Sequence, residues 1–320
     1  MRRTGVLLVS LSLTIFALSQ QGQAATATDF SRSLYRYIPV MRFDNGFIPF
    51  IDDGEHFFPL RVSAITNNSG NRLERGIFPN ELLVERHDDG TGLNISYLRA
   101  GTYPHINQDV RDTDQIRERH ISGVPNSINI EIYRGDAAKF QNDPHYRDRI
   151  YGHVVFQQDG NVIKGAWLQY WFFYYYNDFP VVDIGDHEGD WEMVQIHVNA
   201  DVQPTVAVYA QHDGQKYCPW DKVPKERSRP VVFIARGSHA SYFHTGHHGQ
   251  DLFIDGDNER SMRLIRIGNN WPRWVNWPGR FGSTPGIAGQ FESPRGPKKH
   301  DQYLHPQAFF DNASLDDDCK

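Results

Sequence analysis

The densest chemistry in this chain lies in Asp186-His187-Glu188-Gly189-Asp190-Trp191-Glu192, preceded by Asp178 and Asp183. Carboxylates crowded around an imidazole repel one another unless positive charge sits among them, and a divalent cation supplies that charge. If Asp190 opens a β-strand, the two-residue period puts Asp190 and Glu192 on one face, with Trp191 and Met193 on the other. His187, in the turn bounded by Gly185 and Gly189, folds over the same point. One imidazole among hard carboxylates suits Mg²⁺, Ca²⁺ or Mn²⁺ better than Zn²⁺, which takes more nitrogen or sulfur. The same residues also read as a solvated acidic turn tied by Asx hydrogen bonds, or as a metal-free site with a protonated carboxyl as general acid.

A second cluster runs from Ala235 to Tyr242, ARGSHASY, followed by His244, His247 and His248. Ser238 and His239 fall on a loop at a strand end, where ligand contacts and catalytic groups concentrate. They do not read as a nucleophile and its base. Adjacent residues on an extended chain point apart, and no strand-to-helix elbow is present. His239 fits a structural hydrogen bond, metal ligation or proton chemistry. Trp271, Trp274 and Trp277 sit in a Pro/Gly-rich stretch, where indoles close a core, stack on sugar rings or lie at a membrane interface.

The elements that must position these groups read as strands. Candidates are 63–66, 129–133, 152–157, 161–176, 190–198, 205–211 and 231–235, each β-branched or aromatic and bounded by Gly, Pro, Asn or Asp. Asp159-Gly160-Asn161 is the strongest hairpin signal, and it places the run Trp167 to Tyr176 in a strand buried on both faces. Segments 116–120 and 135–140 read as short surface helices. The fold class expected is all-β, an antiparallel β-sandwich with long loops and a few short helices. It forms a single domain over 25–312, with a loose acidic tail at 313–320 that contains Asp316-Asp317-Asp318.

The chain has 320 residues, 39% of them hydrophobic, which is enough to build a large core and excludes disorder as the main state. Its formal charge of −6 excludes the basic field of a nucleic-acid binder. Arg2 and Arg3, the apolar run from Gly5 to Leu18 and Gly22-Gln23-Ala24 read as a signal peptide over 1–24, so export to a periplasm or the extracellular space is expected. The apolar run is too short for a bilayer span. Cys218 and Cys319 lie in the exported part, where they can pair and tie the tail to the body or remain two free thiols.

Trp167 to Val198, reading WLQYWFFYYYNDFPVVDIGDHEGDWEMVQIHV, resembles the signature of the vacuolar protein sorting-associated protein 62 family. RFDNG at Arg42, EHFFP at Glu55, ARGSHASY at Ala235 and the tail WPGRFG, SPRGP and His300 resemble other motifs of that family. The central segment is also similar to the heptapeptide of the necrosis- and ethylene-inducing-peptide-like toxins, through His187, Asp190, Trp191 and Glu192. That second resemblance implies a β-sandwich holding a divalent metal through Asp178 (with Asp183 as rival), His187, Asp190 and Glu192, and recognition of sphingolipid headgroups before membrane damage. Glu188 and Gly189 replace the basic and second imidazole positions of that motif, so the metal is implied more strongly than the toxin activity.

These readings lead to two expectations. In the first, a secreted metal-dependent protein binds a glycan or glycolipid headgroup at a membrane surface, with Ser238, His239, Trp271 and Trp274 as ligand contacts. In the second, a metal-assisted hydrolase or lyase acts on an extracellular polymer or ester, with Glu188 or Glu192 as base and His239 stabilising the transition state or donating a proton. A structural envelope protein, with the acidic site as a folding staple, is the third.

Overall fold

The structure, a computed structural model, describes residues 25–46, 54–76, 81–118, 126–178, 186–211, 214–248, 251–254, 256, 258–282 and 294–320. The expected export signal and Asp183 lie outside the described residues. The largest sheet joins β5 (Arg149–Asp159), β6 (Val162–Asn177), β7 (His187–Asn199), β8 (Pro204–Gln211), β9 (Gly214–Pro219), β16 (Arg263–Arg266) and β17 (Ser314–Leu315), in the order β16-β5-β6-β7-β8-β9-β17. A second sheet joins β1 (Val40–Phe43), β10 (Lys225–Glu226), β11 (Arg229–Ile234), β12 (Ser241–Tyr242) and β15 (Asn258–Ser261). A third pairs β2 (Asn71–Arg75) with β3 (Glu81–Glu85) and β4 (Asp114–Glu118), and a small hairpin pairs β13 (Gly246–His248) with β14 (Asp251–Ile254). The helices are α1 (Ala27–Arg36), α2 (Ser63–Asn67), α3 (Asn126–Gln141) and α4 (Pro306–Asp311).

β6 organises the whole. Alternation sends Leu168, Tyr170, Phe172 and Tyr174 into a core shared with Met41 and Phe43 of β1 and Val232 and Ile234 of β11. Trp171 and Phe173 enter a second core with Leu73, Val84 and Ile116 of the three-stranded sheet. The all-β sandwich expected from the sequence is thus observed, with the large sheet covered on both faces. Most pairings are antiparallel, while β1–β11, β5–β16 and β9–β17 are parallel. The β5–β6 hairpin turns where expected, Asp159 pairing with Val162 and Gly160 at φ +57°.

Four local expectations are corrected. Residues 63–66 lie in α2 and residues 129–133 in α3, whose Tyr133, Ala137 and Phe140 bury one helical stripe against Tyr175 and Tyr176. Residues 116–118, read as helix, belong to β4, because Ile116 pairs with Leu73 and alternation buries it. The acidic tail is not loose. Cys218 and Cys319 form a disulfide across 101 residues of sequence, and Ser314 and Leu315 pair with Lys216 and Tyr217. Among the described residues no helix is long and apolar enough to cross a membrane.

Closing so long a loop restricts the unfolded chain, so Cys319→Ser is expected to cost about 2–5 kcal/mol in urea unfolding. Reducing agent should bring the parent protein down to the same value.

Candidate metal and ligand centre

The β6–β7 register sets Tyr174 opposite Asp190 and Phe172 opposite Glu192. Trp191 and Met193 point into the second core beside Trp171 and Phe173, so the expected division of this strand between its two faces holds. The strand start is clamped by close backbone packing. Gly189 has φ +64°, and a Cβ there would lie 1.8 Å from the carbonyl oxygen of Phe281.

Asp190 is one corner of a buried charged triad. His239, with no exposed surface, lies flat on Tyr174 at 3.8 Å, its Nδ1 donating to Asp190 Oδ2 at 2.8 Å. Its Nε2 is 3.7 Å from Glu55 Oε1. The loop after β11 presents the ring through a tight turn, with His239 at φ +57° and its N–H bonded to the carbonyl of Ala235. Glu55 is itself fixed by the N–H groups of Phe57, at 2.6 Å, and Gly237, at 2.7 Å. Burial opposes charge on His239, but the Glu55 carboxylate and the Asp190 hydrogen bond outweigh it and push its pKa up to about 9. Burial likewise works against the Glu55 carboxylate, and the positive imidazole with the backbone donors holds it below its ordinary value.

His187 is arranged differently. Its Nδ1 donates to the carbonyl of Gly189 at 2.7 Å, which leaves Nε2 with the lone pair, the form in which histidine binds metals. Burial keeps its pKa below the ordinary value, against the pull of Asp190. The Glu192 carboxyl is pushed well up by burial, with the charges of Asp190 and Asp251 adding to the shift. The Tyr174 hydroxyl, buried in the field of Glu192, Asp190 and Glu55, has no hydrogen-bond partner among the described residues. Asp178 hangs at the rim, its N–H bonded to the Gly237 carbonyl and its carboxylate 3.4 Å from Arg134 Nη2. Burial raises its pKa, Arg134 opposes the shift, and Glu55 adds to it.

Several expected site residues prove structural. Glu188, a candidate base, accepts from the Tyr133 hydroxyl at 2.6 Å and the Glu118 N–H at 3.2 Å and is buried. Ser238, also buried, donates to Asp251 Oδ1 at 2.5 Å, and the Tyr242 hydroxyl takes the other oxygen of the same carboxylate. Trp274 is core, stacked on Trp191 with centroids 5.6 Å apart, whereas Trp271 stands 63% exposed. Asp178, His187, Asp190 and Glu192 do not bring three donor atoms within 4.8 Å of one another. Among the described residues His244, Asp316 and Asp318 do, beside the C-terminal disulfide. Glu55 and Asp251 were not singled out as site residues from the sequence. The only signal for Glu55 was its place in EHFFP, and only the fold carries it to His239.

No family model matches the chain. It is 29% identical over 163 residues to the Saccharomyces cerevisiae protein "Putative vacuolar protein sorting-associated protein TDA6", a match that covers 40% of this chain and 34% of that protein. The chain therefore spans about a third of that relative's length. Among solved structures it is similar to "Toxin fold for microbial attack and plant defense", with 16% identity, 52% and 70% of the two chains covered and a TM-score of 0.33. It is similar also to "NLPPya in complex with glucosamine", with 13% identity, coverage of 53% and 70%, and a TM-score of 0.33. The Necrosis and Ethylene inducing Protein 2 from the causal agent of cocoa's Witches Broom disease gives 14% identity, coverage of 76% and 74%, and a TM-score of 0.33.

Removing His239 would leave Glu55 and Asp190 buried without their shared counter-charge. His239→Ala is expected to lose about 3–5 kcal/mol of unfolding free energy. Ser238→Ala, which leaves Asp251 its Tyr242 partner, should lose about 1–3 kcal/mol. Denaturant titration of both variants measures the difference.

Proposed function

We propose that this chain is an exported, metal-dependent β-sandwich protein that binds a glycan or glycolipid headgroup at a membrane surface. On this reading it is a relative of the vacuolar protein sorting-associated protein 62 family. The ligands are His187, Asp190 and Glu192, with Asp178 drawn in from the rim. The observation that carries the reading is the donor set itself. His187 has its Nδ1–H committed to a carbonyl, beside the Asp190 and Glu192 carboxylates on one face of β7, where burial first and the Asp190 charge second disfavour a charged Glu192. A hard divalent cation relieves that repulsion, and Mg²⁺, Ca²⁺ or Mn²⁺ fits one nitrogen among oxygens better than Zn²⁺. The cation bound there would supply open coordination positions for vicinal hydroxyls of a sugar.

Binding is favoured over hydrolysis because two of the groups expected of a hydrolase, Glu188 and His239, are committed elsewhere. Glu188 is held by Tyr133 and Glu118, and His239 is buried without exposed surface and charged by its two carboxylates. With no exposed surface, His239 is out of reach of a substrate to which it could donate a proton.

The test is binding to glucosamine, mannosamine and a plant sphingolipid headgroup array, with 1 mM added cation and with excess chelator at about tenfold that level. Binding should need the cation and fall at least tenfold in Glu192→Gln, with unchanged circular dichroism. Equal binding in chelator contradicts the reading.

A further inference from the structure

The coil after β16 carries a second charged feature, on the side of the large sheet away from Asp190. Arg273 precedes Trp274, which stacks on Trp191, the residue whose side chain points opposite to those of its neighbours Asp190 and Glu192. Arg99, Arg273, Lys298 and Lys299 line one cleft of about 760 Å³, and no carboxylate is among its lining residues.

These cations are unusual in this molecule. The chain carries a formal charge of −6, and its other arginines are commonly paired with acids, as Arg42 is with Glu226 and Glu259, Arg75 with Asp114 and Arg260 with Asp148. None of the four cleft cations has an ion pair among the described residues. Lys298 Nζ donates instead to three neutral oxygens: the Asn269 carbonyl at 2.5 Å, Asn276 Oδ1 at 2.6 Å and Asn270 Oδ1 at 3.2 Å. Arg99 Nε donates to the Thr102 carbonyl at 2.8 Å. Both side chains are therefore held in place with their charge uncompensated. Positive charges gathered in one concavity repel one another, and an anion is what offsets that cost.

Trp271 identifies the source of the anion. It is 63% exposed, between Asn270 and Arg273, both of which line the cleft. Its exposure is built in, because Gly268 and Trp271 exchange backbone hydrogen bonds across a tight turn and Trp274 and Trp277 are buried just beyond it. An indole beside cations suits the boundary between phosphate headgroups and acyl chains.

We propose that this cleft is a phosphate-binding site for anionic membrane lipids, with Trp271 seated in the bilayer interface. The site uses none of the residues of the Asp190 centre and needs no metal. The experiment is vesicle co-sedimentation in EDTA, comparing phosphatidylcholine vesicles with vesicles carrying 30% phosphatidylglycerol, alongside a titration with inorganic phosphate. Selective binding to the anionic vesicles is expected, weakened at least tenfold by raising NaCl from 0.1 to 0.5 M. Arg273→Ala and Lys299→Ala, both at exposed positions, should each weaken it about fivefold. Trp271→Ala should weaken vesicle binding while leaving phosphate affinity unchanged, and Glu192→Gln should leave vesicle binding intact. Phosphate binding without vesicle binding would overturn the membrane source and leave a free-oxyanion site. Equal binding to both vesicle types, or none to either with no phosphate binding, would overturn the site. Loss in Glu192→Gln alone would return membrane binding to the acidic centre.

Discussion

The contact on which this architecture turns is the buried triad of Glu55, His239 and Asp190. It ties three distant parts of the chain: the segment between β1 and α2, the loop after β11 and the start of β7. Its members have little or no exposure, so the charges are compensated by one another and by backbone donors rather than by water. The imidazole stacked on Tyr174 fixes where Asp190 points. With Asp190 committed on one oxygen to His239, the start of β7 is fixed beside His187 and Glu192.

The aromatic strand β6 makes this possible. A strand buried on both faces cannot shift register by one residue without exchanging two cores, so its pairing with β7 is strongly specified. Asp190 and Glu192 then lie on one face by necessity, and Trp191 locks the other face against Trp274 and Phe281. The acidic centre is stable for the same reason that the sandwich is.

Much of this was legible in residue order. The β5–β6 turn, the two-faced aromatic strand and the division of Asp190 and Glu192 from Trp191 and Met193 follow from a period of two and from turn chemistry, both local properties. Only the later part of helix α3, at 135–140, was legible, because Asn129 to Tyr133 alternates like a strand. Its stripe of Tyr133, Ala137 and Phe140 is recognisable as core only against Tyr175 and Tyr176. The triad was hidden for a different reason, since Glu55 lies far from His239 in sequence and tertiary structure alone brings them together. Glu188 illustrates the converse: its type suited a base, but Tyr133 and Glu118, from remote elements, both donate to its Oε1 and hold it buried. The tryptophans divide by the same logic, as burial of Trp274 and Trp277 is what presents Trp271 to solvent.

The central claim is that His187, Asp190 and Glu192 hold a divalent cation, and its most direct test is anomalous diffraction from crystals soaked in Mn²⁺. A peak within about 2.0–2.3 Å of His187 Nε2 and the Asp190 and Glu192 carboxylates, with Asp178 moved inward, is the predicted result. No peak there, whether the crystal is metal-free or the ion sits only at His244, Asp316 and Asp318, would contradict the account.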